Sequence, residues 1–119
     1  MTTKEIADRL VELCSKGEFE TAQRELLADD AVNIEPHATP DFPKETHGLQ
    51  NIIDKGHKFG STIETVHAIH MSQPLCAGNS FAVVLHMDLT MKEKGHMNMS
   101  ELCVYTTKDG KIVSEQFYM

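Results

Sequence analysis

Glu101 and Glu115 are the two side chains of this 119-residue chain best placed to do chemistry, because each interrupts an apolar run at strand spacing. Successive residues of a strand point to opposite faces. One face collects Phe81, Val83, Leu85, Met87, Leu89 and Met91, continues with Met97, Met99, Glu101, Cys103 and Tyr105, and ends with Val113, Glu115, Phe117 and Met119. A carboxylate in such surroundings loses solvation, which disfavours its charged form, and a second acid nearby pushes the same way. A pair of this kind can divide labour, one member as general base and the other as protonated donor. The competing reading is that each acid is held by a buried partner, His67 or His57, or opens to solvent at the mouth of a barrel.

Around the two acids, Met87, Met99, Cys103, Tyr105 and Phe117 are the expected lining of a ligand pocket, with flexible methionines suited to a variable apolar molecule. His67 lies on the apolar side of its own strand pattern and is a candidate for the same pocket or a structural histidine. His57, on a helix, faces either the cavity or solvent. Cys103 is read as a small buried hydrophobe rather than a nucleophile, since neighbouring carboxylates disfavour its thiolate. Tyr105 either offers its hydroxyl to a ligand or fills the barrel end. Seven histidines raise the question of metal, yet no His or Cys pair has zinc-site spacing and no H-E-x-x-H run occurs. Neither a metal site nor a cofactor is expected.

These residues must be positioned by three consecutive strands, with turns at Lys92-Glu93-Lys94-Gly95 and Lys108-Asp109-Gly110. Three-residue loops with a glycine bulge would pair Lys92 with His96 and Thr107 with Lys111. Met87 would then face Glu101, Cys103 would face Glu115, and Glu101 would face Phe117. Upstream, Thr2 and Glu5 form a capping-box signature, followed by Ile6, Leu10, Leu13 and Cys14 at helical spacing with Gly17 as the stop. Phe19, Ala22, Leu26 and Leu27 mark a second helix, broken by Asp29-Asp30. Ala31 to Glu35 reads as a short strand. The stretch from Pro36 to Gly48, with Pro36, Pro40 and Pro43, is a loop and a candidate pocket rim. Leu49 to Gly60 is a third helix, and Ile63 to Ser72 a strand with Ile63, Thr65, His67, Ile69 and Met71 on one side. The order α-α-β-α-β-β-β-β predicts a single α+β domain over residues 1–119, a cone-shaped barrel with three N-terminal helices packed on a curved, mainly antiparallel sheet.

Composition narrows the partners. The length suits one domain, and a formal charge of −7 argues against a nucleic-acid backbone or an anionic membrane surface. No apolar run reaches the ~18 residues of a membrane span, and Thr2-Thr3-Lys4-Glu5 lacks the apolar core of a signal peptide. Cys14, Cys76 and Cys103 are read as free thiols of a cytoplasmic protein. The other sheet face carries Val84, Leu102, Val104, Ile112 and Tyr118 among His86, Asp88, Asn98, Ser100 and Gln116. That convex face is expected to form a homodimer, since helices cover only one side.

The element order, the junction Ala28-Asp29-Asp30-Ala31-Val32, and the run Lys108-Asp109-Gly110-Lys111-Ile112-Val113 leading to Glu115-Gln116-Phe117-Tyr118 resemble the SnoaL-like members of the nuclear transport factor 2-like superfamily. The resemblance covers essentially the whole chain and implies a cone-shaped α+β barrel, commonly dimeric, with a ligand cavity between sheet and helices. It also implies a range of activities, from polyketide cyclases and steroid isomerases to epoxide hydrolases. The acid that cyclases of this family carry on the penultimate strand is matched here by Cys103, and the aspartate of the epoxide hydrolases on the last strand by Phe117. Helix 1 has no counterpart of the isomerase tyrosine. Glu101 and Glu115 stand one step away on the same face. The function this supports is binding of a small apolar molecule, with acid–base catalysis of isomerase, cyclase or hydrolase type, or alternatively a non-catalytic binding or structural homodimer module.

Overall fold

Thr2 starts the first helix as its capping box predicts. In the computed structural model, which describes residues 1–119, Thr2 Oγ1 accepts from the Glu5 amide at 3.2 Å and Glu5 Oε1 accepts from the Thr2 amide at 2.8 Å. Two backbone donors that a helix start leaves orphaned are thereby satisfied. Helix α1 (Thr3–Ser15) buries Ile6, Ala7, Leu10, Leu13 and Cys14, the spacing read from the sequence with Ala7 added. Helix α2 (Phe19–Leu26) turns back beside it, and Arg9 grips Glu25 with two guanidinium contacts of 2.7 and 3.0 Å.

The strands are β1 (Leu27–Ile34), β2 (Glu45–His47), β3 (Ile63–Met71), β4 (Leu75–Ala77), β5 (Ser80–Met91), β6 (Gly95–Lys108) and β7 (Lys111–Tyr118), with helix α3 (Leu49–Gly60) between β2 and β3. They form one sheet in the order β2-β1-β7-β6-β5-β3, with β4 added to β5. Only β1 and β7 run parallel among the adjacent pairs; the rest are antiparallel. The fold is therefore the expected α+β arrangement of three helices on a curved sheet, with two short strands, β2 and β4, that the sequence reading lacked. The second helix ends at Leu26, three residues before Asp29-Asp30. Both residues lie inside β1 where its pairing with β7 is irregular between Leu27 and Val32, so the exposed acids ride on a bulged segment rather than a loop.

Both hairpins depart from the expected register, and both keep the expected faces for Glu101 and Glu115. In β5–β6 the end pair is Met91 with Gly95, so Met87 faces Met99 and Leu85 faces Glu101. This is a shift of two residues, which preserves the alternation. The β6–β7 turn holds only Asp109 and Gly110, at φ +54° and +78°, the left-handed pair of a two-residue hairpin loop. Such a loop pairs Lys108 with Lys111 and by itself would reverse the faces of β7. A one-residue bulge next to Thr106 and Thr107 restores them: Thr107 pairs with Ile112, but Thr106 pairs with Ser114. Beyond it, Tyr105 faces Glu115 and Cys103 faces Phe117.

The bulge also moves Ile112. Expected on the convex face, it is instead fully buried with Leu26, Leu27 and Phe81 in the core. Gly110 is the residue this turn needs most. Its φ is one that L side chains avoid, while an added Cβ would meet nothing closer than the Met1 backbone at 3.5 Å. Gly110→Ala should thus cost about 1–2 kcal/mol through conformation alone, read as a lower urea midpoint with an unchanged m-value.

Candidate functional site

Asn33 ties the polar centre together. Alternation along β1 turns Ala31 and Asn33 inward, and both are buried. The Asn33 Nδ2 donates to Glu115 Oε1 at 2.7 Å, and its Oδ1 accepts from Lys55 Nζ. Lys55 comes from α3, three residues after the buried Ile52, so helical spacing brings it to the edge of the core-facing stripe. Its ammonium also pairs with Glu35 Oε2 at 3.2 Å, with both side chains largely buried. Strand, helix and loop end thus supply a chain of contacts running Glu35–Lys55–Asn33–Glu115.

The two acids singled out by the sequence end in different environments. Glu115 is 5% exposed. Burial raises its carboxyl above the usual range, while the Asn33 hydrogen bond and the Lys55 charge oppose that rise. Glu101 is only half-buried, yet it is pushed up to about 7. Burial is the leading cause, the Glu35 charge adds to it, Lys55 opposes, and Glu115 contributes least. No hydrogen bond enters that balance. The expected cross-strand neighbours, Met87 and Phe117 for Glu101 and Cys103 for Glu115, are corrected accordingly. The two-residue shift sets Glu101 opposite Leu85 and Glu115 opposite Tyr105, and the acid that presses on Glu101 most is Glu35.

Cys103 is fully buried, with burial and Glu101 raising its thiol, so it is an inert packing residue rather than a nucleophile. Tyr105 is 4% exposed and stacked on Phe81 at 4.8 Å between centroids. It fills the barrel interior. Met87 is buried against Met99, which with Phe117 and Glu101 remains partly exposed on the same face. The two histidines lie elsewhere. A register shift between Val66 and Ala68 takes His67 out of the alternation of β3. It is exposed, bonds to Thr90 Oγ1 at 2.6 Å and stacks edge-on with His96. His57 is exposed on α3, bonded to Glu20 of α2 beside a groove of about 100 Å³ between those helices. Neither histidine reaches the acids.

A larger recess, about 250 Å³, lies between the proline-rich loop and α3, where Phe42, Pro43, Thr46, Asn51 and Lys55 are among its walls. Lys55 is shared by this recess and the polar centre. The residues missed by the sequence reading are Asn33, Glu35 and Lys55. The alternation of Ala31, Asn33 and Glu35 along the first strand was a usable signal. No group of three or more His, Cys, Asp or Glu residues is arranged to hold a metal ion.

Comparison with known proteins gives a consistent result. The family model of the SnoaL-like domain matches residues 1–119. A Mesorhizobium loti protein described as a candidate SnoaL-like polyketide cyclase [carbohydrate phosphatase] is 32% identical over the whole of both chains, with a TM-score of 0.93. A Xanthomonas campestris protein of unknown function with a cystatin-like fold is 17% identical over 99% of this chain and 90% of its own, with a TM-score of 0.83. A Catenulispora acidiphila protein with a ketosteroid isomerase-like fold, crystallised with trimethylamine, is 16% identical over 97% and 85%, with a TM-score of 0.75. No curated protein sequence matches the chain.

The raised Glu101 carboxyl makes stability depend on pH. An acid whose folded pKa exceeds its unfolded value favours the fold while protonated, so its contribution is complete below about 4.5 and lost as pH rises through about 7. Glu5, Glu20 and Glu25 shift the other way and act below that window. Urea unfolding should therefore show stability falling by about 2–3 kcal/mol between pH 4.5 and 8. Glu101→Gln, which stays neutral throughout, should flatten its share of that slope and leave the part that the raised Glu115 carboxyl contributes with the same sign.

Proposed function

The chain belongs to the SnoaL-like domain family, whose members include ligand-binding and isomerase- or cyclase-type proteins, and on that premise we propose that it binds a small apolar molecule and moves a proton on it with Glu101. The observation that carries this reading is the state of Glu101. It is a half-buried carboxylate balanced near pH 7 by burial and by Glu35, and it sits on a face lined by Met87, Met99 and Phe117. A general acid–base group works best when its pKa lies near the operating pH, since both protonation states are then available. Glu101 can accept a proton from the ligand as carboxylate and return it to another atom of that ligand as carboxylic acid. Glu115 is the supporting member. Asn33 occupies one of its oxygens, and burial favours its neutral form, so it acts as a fixed polar wall.

Native mass spectrometry of the purified chain identifies the ligand. With that molecule in hand, turnover should follow an apparent pKa near 7. Glu101→Gln should lower the rate by about 10²–10⁴-fold with the fold intact. Recovery of the ligand unchanged, bound equally by wild type and Glu101→Gln, would remove Glu101 and leave a non-catalytic binding module.

We also propose that two copies associate through the convex face. Val84, Leu102 and Tyr118 are 43%, 41% and 48% exposed there, interspersed with Ser100, Asn98 and Gln116. A two-fold contact places the same patch on both subunits, which a mixture of apolar and neutral polar groups fits. Sedimentation equilibrium should give twice 13.3 kDa at micromolar concentration. Val104→Asp, by burying unpaired carboxylates at the contact, should return the monomer mass. No helix is long and apolar enough to cross a membrane, and three free cysteines suit the reducing cytoplasm as the location.

A further inference from the structure

Histidines that take no part in the acid centre gather on the convex face, toward the β5–β6 hairpin. Alternation along β5 buries Leu89 and Met91 and turns Thr90 outward, and His96 of β6 stands directly opposite Thr90. On the other flank, the irregularity between Val66 and Ala68 makes His67 the extra residue of β3. Such a bulge re-aims a side chain, and His67 reaches Thr90 Oγ1 at 2.6 Å. The residue between the two imidazoles is thus a small one. The rings close over it to 5.7 Å between centroids, at 72° to each other, and both histidines are exposed.

Each ring is held by one nitrogen and open at the other. His96 Nε2 meets Asp88 Oδ1 at 2.5 Å. A carboxylate only accepts, so this nitrogen carries the hydrogen and Nδ1 keeps its lone pair. The Thr90 hydroxyl can accept from His67 Nε2, which gives that ring the same tautomer. The hydrogen bonds of both rings run through Nε2, leaving Nδ1 without a protein partner. An imidazole whose other nitrogen donates to an oxygen is the common form of a metal ligand. Two nitrogens ~2.1 Å from one ion lie about 3.4 Å apart at a tetrahedral angle, a separation that exposed rings this close reach by turning about their side-chain bonds. His70 and His86, also opposite each other, differ, because His86 commits its Nδ1 to Ser100 Oγ at 2.8 Å on its other side. We propose that His67 and His96 chelate one late first-row divalent cation through Nδ1, with Asp88 and Thr90 steadying the rings and water filling the remaining positions. Imidazole nitrogen selects zinc, copper and nickel over magnesium and calcium. With two protein ligands the site is open and exchangeable rather than a closed structural centre. Thr90 lies six residues along β5 from Val84, about 20 Å, so the pair is separate from the apolar patch, and it does not depend on Glu101.

Zn²⁺ titrated into the full chain in a non-coordinating buffer, followed by imidazole ¹H–¹⁵N spectra, tests the site. One ion per chain should bind saturably, and the Nδ1 resonances of His67 and His96 should shift together. His67→Ala and His96→Ala should each weaken binding about ten-fold or more, with far-UV circular dichroism unchanged because both side chains are exposed. Asp88→Asn, which removes the carboxylate behind His96, should weaken it by a smaller factor. His86→Ala and Cys76→Ser should retain it, which separates the pair from the other histidines of the face and from the exposed thiol. Cu²⁺ should displace Zn²⁺, and Mg²⁺ at the same concentration should not. Absence of saturable binding would overturn the site, as would shifts confined to other histidines or an affinity unaffected by His67→Ala or His96→Ala. Loss of binding in Cys76→Ser or His86→Ala would place the ion elsewhere and overturn it equally.

Discussion

Ile112 and Glu115 are three residues apart on one strand and both are buried. An uninterrupted strand forbids this, because residues an odd number apart point to opposite faces. The chain resolves the conflict with two local devices in series, the two-residue Asp109-Gly110 turn and the bulge that follows it. The turn reverses the alternation and the bulge reverses it back. Ile112, before the bulge, is thereby aimed into the core beside Leu26 and Leu27, while Glu115, after it, is aimed at Asn33. The bulged residue also sits where β7 begins its parallel pairing with β1, itself irregular between Leu27 and Val32. Bulges of this kind bend a strand and increase its twist, which is what a sheet wrapping around three helices requires. Core closure and delivery of the buried acid thus rest on the same backbone irregularity.

The sequence made the faces of the long strands legible and hid their register. The alternation from Phe81 to Tyr105 fixes which side chains point inward, since a one-residue slip would expose the whole set. A slip of two residues leaves every face unchanged, so the pattern could not distinguish Met87 opposite Glu101 from Met87 opposite Met99. The same holds beyond the second turn. There the Asp-Gly dipeptide signalled a two-residue loop, but the bulge that makes this loop compatible with a buried Glu115 leaves no mark in hydrophobic periodicity. Of the two readings of His67, the hydrogen-bonded structural one matches its contact with Thr90; its strand is irregular on either side of Thr65 and Val66, and strict alternation does not survive that.

The polar centre was legible only in halves. Glu101 and Glu115 stand out because they interrupt apolar runs. Their partners do not, since Asn33 is 82 residues from Glu115 along the chain and Lys55 is 22 from Asn33. Such contacts are created by the fold, and local pattern carries no record of them. The helix cap at Thr2 and the apolar stripe of α1 lie at the opposite extreme. They are decided within a few residues and were read with only Ala7 missing.

One ammonium serves three carboxylates in this centre, and that ratio sets the behaviour of all of them. Lys55 is committed to Glu35 by direct contact and to Glu115 through Asn33. Glu101 receives only its more distant attraction and feels the negative charge of Glu35 as well. Ionising all three acids would leave two uncompensated charges in a region largely withdrawn from water, a cost that neutralisation avoids. Glu115 meets this with the Asn33 hydrogen bond while burial raises its carboxyl, and Glu101 by holding its proton up to about pH 7. An apolar molecule settling against Met99 and Phe117 would displace further water from Glu101 and favour its neutral form still more. Occupancy of that face by such a molecule would therefore be coupled to proton uptake by Glu101 through the same desolvation that raises its carboxyl.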